Sequence, residues 1–243
     1  LPNLIQADRY IEPEPVEVEL KTEVYKDVWA RIDASSSIQR DGLDEETLRY
    51  VDLYLSNPAQ FSRLIEKGQY FIYFVLEELE KYRLPPELAL LPYIESNYDP
   101  FSISASGAMG IWQFMPATAR IYGLQDTWWY EQRHDPLVSS RAAVRYLAYL
   151  HNRFNKEITY TLSAYNGGPT LLEKQINLNK KLGKSTNYKQ LKLPRQTKDY
   201  VPKFKAIVEL VINAEKYGLT LPAFPNTQVL GSISLNGQVE ILA

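Results

Sequence analysis

Residues 95–119 of the chain read ESNYDPFSISASGAMGIWQFMPATA, a run of small and hydroxyl-bearing residues between two predicted helices. The helix before this run, predicted over 87–97, is apolar on almost every face, which is typical of a buried helix. A carboxyl group at the end of a buried helix loses hydration, and its pKa rises above the ordinary value of about 4.3. Glu95 is therefore a candidate general acid. The alternative, that Glu95 ends a helix and simply faces water, stays open at this point.

The small residues over 102–110 form a loop that lets a bulky ligand approach the backbone closely. Within this loop, Ser104 and Ser106 supply hydroxyl donors and acceptors. The residues over 112–115 that follow are Trp, Gln, Phe and Met, a mixture of apolar and amide groups suited to one face of a sugar ring. The alternative is a glycine turn that leads into the next helix, with the Trp and Met in the core.

A third motif, AYNGGP over 164–169, ends one predicted helix and starts another. Its Asn-Gly-Gly sequence favours the left-handed backbone conformation that a chain reversal needs. Taken alone, the motif predicts only a turn. The functional interpretation is that Tyr165 and Asn166 project from this turn into a cleft shared with Glu95.

The composition of the 243 residues excludes several functions. The 27 basic and 29 acidic residues give a net charge of −2, which argues against nucleic acid as the main partner. The absence of cysteine excludes disulfides, thiolate catalysis and cysteine-based zinc sites. No apolar stretch approaches the roughly 20 residues that a membrane span needs. The 4 Trp, 18 Tyr and 8 Phe fit either a tyrosine-rich core or a groove lined by rings, as carbohydrate binders use.

Apolar spacing predicts a mainly α-helical body. Asp44 is expected to cap a helix that ends before Pro58. The next helix is predicted to run unbroken over 59–82. Further predicted helices cover 116–122, 138–154, 159–165 and 200–217.

His134 and His151 have no second ligand at metal spacing, so we expect both at the surface and no metal site.

The chain divides into three predicted parts. Residues 1–42 are interpreted as an extended N-terminal arm because the first 20 residues contain prolines and alternating acidic residues. Residues 43–221 are predicted to form the helical domain. Residues 222–243 are predicted to be a tail with a small β-hairpin, since Asn236-Gly237 lies between alternating apolar residues.

The motifs at 95–100, 106–119 and 164–168 occur in an order and at spacings that resemble the signature of the lytic transglycosylases with a goose-lysozyme-like (SLT) fold. The resemblance covers about 43–221 and implies that this segment is a lysozyme-like catalytic domain. The chain departs from the family pattern shortly before Tyr200. The family usually has Glu-Thr-Arg or Glu-Thr-Lys there, and this chain has Gln196-Thr197-Lys198.

The resemblance implies a lyase that cleaves the β-1,4 bond between N-acetylmuramic acid and N-acetylglucosamine in peptidoglycan and leaves a 1,6-anhydro end. Glu95 would be the single catalytic residue, first acid and then base, with no metal or organic cofactor. Ordinary glycosidases use two carboxylates. The only nearby acid is Asp99, and Pro100 disfavours the helical conformation for it, so we interpret Asp99 as a turn residue.

The resemblance also implies a set of substrate-binding positions. Tyr200 would lie near the acetamido group and the reacting centre, although a tyrosine of the last helix can equally belong to the core. The implied substrate-binding residues are Ser104, Ser106, Gln113, Met115, Tyr165, Asn166 and Tyr200.

The implied partner is the glycan strand of peptidoglycan, and the implied location is the bacterial periplasm, with outer-membrane association through a lipid anchor on a longer precursor. The branch of the family that the sequence resembles typically carries peptidoglycan-binding LysM repeats downstream, which are expected only in a longer form of the protein. Two alternatives stay open: a hydrolytic goose-type lysozyme on the same scaffold, and an inactive glycan-binding scaffold.

Overall fold

The computed structural model describes residues 13–15, 25–36 and 42–231. Within these ranges the chain folds into α-helices joined by turns and short 3-10 helices, which confirms the mainly helical prediction. The β-hairpin predicted in the tail, over 233–241, lies outside the described residues. The helices are α1 (Val28–Ser35), α2 (Glu45–Leu55), α3 (Pro58–Glu66), α4 (Ile72–Lys81), α5 (Leu91–Glu95), α6 (Pro116–Ile121), α7 (Pro136–Arg153), α8 (Ile158–Gly167), α9 (Pro169–Lys181) and α10 (Arg195–Ile212).

Helix α10 is the central element of the fold. It contacts α1, α2, α5 and α8, and its apolar side chains are almost completely buried. A close approach fixes α8 on α10, because a Cβ on Gly167 would lie 2.9 Å from the hydroxyl of Thr197. Since both α5 and α8 pack on α10, residues at the ends of these two helices meet along its surface.

The unbroken helix predicted over 59–82 is wrong, because the chain turns between α3 and α4. The ring of Tyr93 fills the turn: a Cβ on Gly68 would lie 2.2 Å from its hydroxyl oxygen. That hydroxyl donates a hydrogen bond to the carbonyl of Ile65, 2.7 Å away, near the end of α3. The apolar spacing continues through the turn, so periodicity alone does not reveal the break.

The helix predicted over 87–97 is also shorter than expected. A 3-10 helix, Pro86–Leu90, comes first and is followed by the five residues of α5. Proline carries no backbone N–H, so Pro92 cannot continue a hydrogen-bond ladder from the preceding turn. The helix then ends because Asn97 and Tyr98 adopt left-handed backbone with φ of 57° and 58°. Glu95 consequently lies at the end of a short helix, which Pro92 limits on one side and the left-handed backbone of Asn97 and Tyr98 limits on the other.

Helix α1 lies inside the segment predicted to be an extended arm, and the sequence analysis does not predict it. Asp27 caps this helix by accepting a hydrogen bond from the amide of Ala30 at 2.9 Å. Val28 and Ile32 are fully buried in the main core. Part of the predicted arm therefore stabilises the helical body, and the division of the chain into domains stays a prediction.

The two histidines have structural contacts. The prediction of a surface position is wrong for His151, which is buried and holds its Nδ1 3.1 Å from the hydroxyl of Thr161. His134 is half-buried, and its Nδ1 lies 2.7 Å from the carbonyl oxygen of Pro100. Among the described residues, no group of three or more His, Cys, Asp or Glu gathers at a metal-binding distance. None of the helices in the described ranges has the length and apolar character needed to cross a bilayer.

Candidate active site

Glu95 is the last residue of α5, and its carboxyl group faces α10. The hydroxyl of Tyr200 donates a hydrogen bond to Oε1 of Glu95 across 2.5 Å. Lys203 follows Tyr200 by three residues and therefore lies about one turn further along the same face of α10. The residues of α5 that precede Glu95 are mostly buried, so the carboxyl emerges from the apolar core.

Burial changes the acidity of Glu95 strongly. Loss of hydration raises its pKa from 4.5 to about 7, while the Tyr200 hydroxyl and the Lys203 ammonium act in the opposite direction. Burial lowers the pKa of Lys203, and the charge of Glu95 partly restores it. A carboxyl group with a pKa near 7 can both donate and accept a proton at neutral pH. This confirms the expectation of a desolvated carboxyl and disfavours the solvent-facing alternative.

We expect this raised pKa to reduce the stability of the fold as pH rises. Between about pH 4.5 and 7 the folded protein holds a proton on Glu95 that the unfolded chain releases. The free energy of unfolding therefore falls through this window and levels off above it. Because Glu95 is partly exposed, we expect the total decrease to be on the order of 1–3 kcal/mol. Urea unfolding of Glu95→Gln at pH 5 and pH 8 should show a stabilisation that grows with pH. A difference in the free energy of unfolding between Glu95→Gln and the wild type that does not change with pH would contradict it.

Tyr165, on the last turns of α8, lies beside Glu95. Its hydroxyl donates a hydrogen bond to the carbonyl of Trp112 at 2.8 Å. Burial raises the pKa of Tyr165 well above 10, and the negative charge of Glu95 adds to this rise. Tyr165 thus connects three segments: α8, the chain after the small-residue loop, and the carboxyl at the end of α5.

The loop over 102–115 is held by its own backbone. The amide of Met109 donates to the carbonyl of Phe114 at 3.1 Å, and the amide of Phe114 donates back at 3.0 Å. Gly110 sits at the centre of the loop with a φ of 77°. A Cβ at this position would lie 1.8 Å from the carbonyl oxygen of Arg133, so only glycine fits there. The loop therefore has one defined shape beside Glu95.

Arg133 is a structural residue of the site that the sequence analysis misses. Its guanidinium donates to the carbonyls of Gly107 at 3.1 Å and Phe114 at 3.3 Å, on the two arms of the loop. Glu131 pairs with it at 2.6 Å, so the buried charge is balanced. The sequence shows only a charged turn over 131–135, and nothing local indicates that one of its cations points inward.

Ser96 is a second missed residue. Its hydroxyl is buried and donates to the carbonyl of Ile111 at 2.9 Å. This bond ties the residue next to Glu95 directly to the loop. The neighbouring ring of Trp112 is fully buried and donates its indole N–H to the hydroxyl of Ser140 at 2.8 Å. Trp112 therefore belongs to the core, as the alternative interpretation has it.

The structure brings together some of the predicted site residues and not others. Glu95, Tyr165 and Tyr200 converge. Ser104 and Ser106 lie in the turn of the loop, with their hydroxyls 3.0 Å apart, and no contact links them to the carboxyl.

The remaining predicted positions are Gln113, Met115 and Asn166. Gln113 uses its amide N–H to hold the loop, donating to the carbonyls of Gly110 at 2.9 Å and Ser102 at 3.2 Å. Met115 is 43% exposed, and Asn166 is half-buried at the end of α8. The roles of these residues in binding stay predictions.

Besides burial, the groups that act on the pKa of Glu95 are the Tyr200 hydroxyl and the Lys203 ammonium. Asp99 is exposed and accepts a hydrogen bond from the amide of Phe101 at 2.9 Å. This is the geometry of a turn residue, so the interpretation of Asp99 is confirmed. The Glu95 carboxyl is therefore approached from α10 by a hydroxyl and an ammonium.

Comparison with known families assigns part of the chain to a family. Residues 73–188 match the family described as Transglycosylase SLT domain. This segment is an SLT domain. The SLT domain contains Glu95, the loop and Tyr165. Tyr200 and Lys203 come from α10, which begins after the matched range ends.

The chain that carries this SLT domain is 34% identical over 218 residues to membrane-bound lytic murein transglycosylase D of Escherichia coli. The alignment covers 88% of this chain and 47% of that relative, so the chain spans about half the relative's length. The resemblance that the sequence motifs predict is thereby confirmed.

Two solved structures are similar to the chain. The lytic transglycosylase Slt of Pseudomonas aeruginosa aligns with a TM-score of 0.46 and 18% identity, over 78% of this chain and 32% of that one. The 70 kDa soluble lytic transglycosylase of Escherichia coli aligns with a TM-score of 0.49 and 17% identity, over 77% of this chain and 32% of that one.

Proposed function

We propose that this SLT domain is a lytic transglycosylase that cleaves the β-1,4 bond between N-acetylmuramic acid and N-acetylglucosamine in peptidoglycan. The observation that carries the proposal is the buried carboxyl of Glu95, whose pKa of about 7 allows it to act as acid and base in turn. Enzymes that hydrolyse such bonds with two protein carboxylates place the pair about 5–9.5 Å apart. Asp99, the acidic residue nearest to Glu95 in sequence, is exposed and serves a turn, which favours chemistry assisted by the substrate.

The proposed reaction begins with protonated Glu95 giving its proton to the glycosidic oxygen. The C1–O4 bond breaks, and the carbonyl oxygen of the 2-acetamido group stabilises the positive charge that develops at C1. The Glu95 carboxylate then takes the proton of the muramoyl O6 hydroxyl, and O6 forms the new bond to C1. The proton returns to Glu95, the ring closes as a 1,6-anhydro product, and no water is consumed.

Tyr200 is proposed to position the carboxyl for both proton transfers. Because its hydroxyl donates to Oε1, the proton that Glu95 delivers resides on Oε2. The bond also favours the charged form of Glu95, which limits how far burial raises its pKa. The hydroxyl therefore holds the carboxyl in one orientation through the acid step and the base step.

We expect the pH dependence of activity to report these two groups. Cleavage needs protonated Glu95 and should decline above about pH 7. Tyr200→Phe removes a bond to the carboxylate, so the alkaline limb should move to higher pH while the maximal rate falls about 10- to 100-fold. Tyr217→Phe, a control whose hydroxyl bonds Glu209 at 2.8 Å, should keep the wild-type profile. An alkaline limb near pH 4.5 would contradict the role of burial.

Product analysis tests the reaction itself. Mass spectrometry of digested peptidoglycan should detect muropeptides lighter by one water than those released by hydrolysis. Exclusively reducing ends would instead indicate a lysozyme on the same scaffold. Binding of glycan without release of any product would indicate an inactive binding scaffold.

The same proposal extends to the setting of the protein. We place it in the bacterial periplasm, where peptidoglycan is accessible, in association with the outer membrane through a lipid anchor on a longer precursor. Its partner is the glycan strand, and downstream LysM repeats of a longer form would hold it there. The proposed chemistry uses only protein and substrate groups and needs no metal or organic cofactor.

A further inference from the structure

A cavity of about 460 Å³ is lined by residues of α2, α3 and α10. Its wall includes Lys203, the lysine whose charge acts on the Glu95 carboxyl, and Asn97, two residues after Glu95. The cavity therefore borders the candidate active site. The proposed chemistry at Glu95 does not use it.

The walls of this cavity carry positive charge. Arg63 and Lys67 project from α3 and its C-terminal end, and Lys203 projects from α10. The residues that line the cavity include no Asp or Glu. In the part of the chain that the structure describes, none of the three cations forms an ion pair. Arg63 and Lys67, together with Lys203 near Glu95, give this concavity a positive charge that favours an anionic ligand.

Other lining groups suit a peptide more than a simple ion. Gln60 and Asn97 present amides that can pair with peptide bonds. Tyr50 and Tyr54 offer ring faces, and Leu53 adds an apolar surface. An extended ligand with amide groups and carboxylates would use all of these groups, whereas the neutral sugars of a glycan strand would leave the cations unused.

The position of the cavity identifies the occupant. Under the proposed function, a muramoyl residue lies at Glu95, and muramoyl residues in peptidoglycan carry short peptides with free carboxylates through the lactyl group on O3. We propose that this cavity, the cationic pocket, binds the carboxylate-bearing peptide stem of the muramoyl residue at the site of cleavage. The inference rests on the proposed function and adds a preference for peptide-bearing over naked glycan.

The test compares two substrates made from one preparation. Uncrosslinked glycan strands are used with their peptides intact and after an amidase has removed them. We expect the wild-type protein to cleave peptide-bearing strands with a kcat/KM at least tenfold higher than naked strands. In Arg63→Gln/Lys67→Gln this ratio should fall about tenfold, mainly through a higher KM for peptide-bearing strands.

A matched control variant is available on α9. Lys180→Gln/Lys181→Gln removes two exposed cations that do not line the cationic pocket, and it should keep the wild-type ratio. A third substrate, peptide-bearing strands with amidated carboxylates, isolates the charge contribution and should behave like naked strands. Circular dichroism and thermal unfolding of each variant confirm that it is folded.

The outcomes separate this inference from the proposed function. An unchanged ratio in Arg63→Gln/Lys67→Gln, equal wild-type cleavage of both substrates, or full activity on amidated strands would overturn the peptide pocket while leaving the lyase intact. An equal fall in the ratio for the α9 control would reduce the effect to net charge and would also overturn it. Failure of every protein to yield anhydro products from either substrate would overturn the proposed function itself.

Discussion

Glu95→Gln is expected to lower the turnover of peptidoglycan by about 10³-fold or more, because the amide can neither donate the proton nor accept it. General acid–base catalysis by one group contributes about 10²–10⁴-fold, and here one residue is proposed to perform both steps. Glutamine keeps the volume of the side chain and can still accept the hydrogen bond from Tyr200, which the structure places at 2.5 Å. Folding and glycan binding should therefore persist.

Release of anhydro-muropeptides, followed by mass spectrometry, measures this effect. Asp99→Asn is the matched control, since Asp99 is the acidic residue nearest to Glu95 in sequence and serves a turn. This variant should cleave at close to the wild-type rate. Substantial turnover by Glu95→Gln, or a comparable loss in Asp99→Asn, would refute a mechanism with one carboxyl.

Gly110→Ala is expected to have the largest effect on stability. The added Cβ would overlap the carbonyl oxygen of Arg133 at 1.8 Å, and that oxygen belongs to backbone that cannot move independently. The residue also has a φ of 77°, which costs an L-amino acid about 1–2 kcal/mol. Because the buried surroundings are close-packed, we expect the two effects together to reduce the free energy of unfolding by about 4 kcal/mol.

The same loop provides a control for the backbone contribution. Gly107 has a φ of 82°, and a Cβ placed there meets nothing within 4 Å. Gly107→Ala should therefore lose only about 1–2 kcal/mol. Urea unfolding of both variants measures the difference, which isolates the clash. Equal losses would show that the loop moves away from Arg133 without cost, and its shape beside Glu95 would then be less fixed than the hydrogen bonds indicate.

The sequence predicts the site best where a local pattern has a direct physical consequence. An apolar helix that ends in Glu95 already implies a desolvated carboxyl, and burial does raise its pKa to about 7. The sequence analysis misses Arg133 and Lys203 because their effects on the site depend on contacts that no local pattern shows. Each acts on a segment far along the chain, and an exposed cation and an inward-pointing cation look alike in a sequence without structural context.

The helical body follows from apolar spacing, and the errors occur where spacing carries no signal. The turn at Gly68 is set by a tyrosine from another segment, Tyr93, whose hydroxyl bonds Ile65. The shortened α5 follows from Pro92, which is visible in the sequence, and from left-handed backbone after the helix, which is not. Long-range packing therefore determines the helix boundaries that give the site its geometry.

The hydrogen bond between Tyr200 and Glu95 joins residues that are 105 positions apart in the chain. Contacts of such sequence separation are entropically costly to close and tend to form late in folding. Before α10 docks, Glu95 lacks the burial that raises its pKa as well as its hydroxyl partner. A chain in which α10 has not docked would therefore lack the arrangement that the proposed chemistry requires, and the proposed ability to cut the cell wall would depend on complete folding.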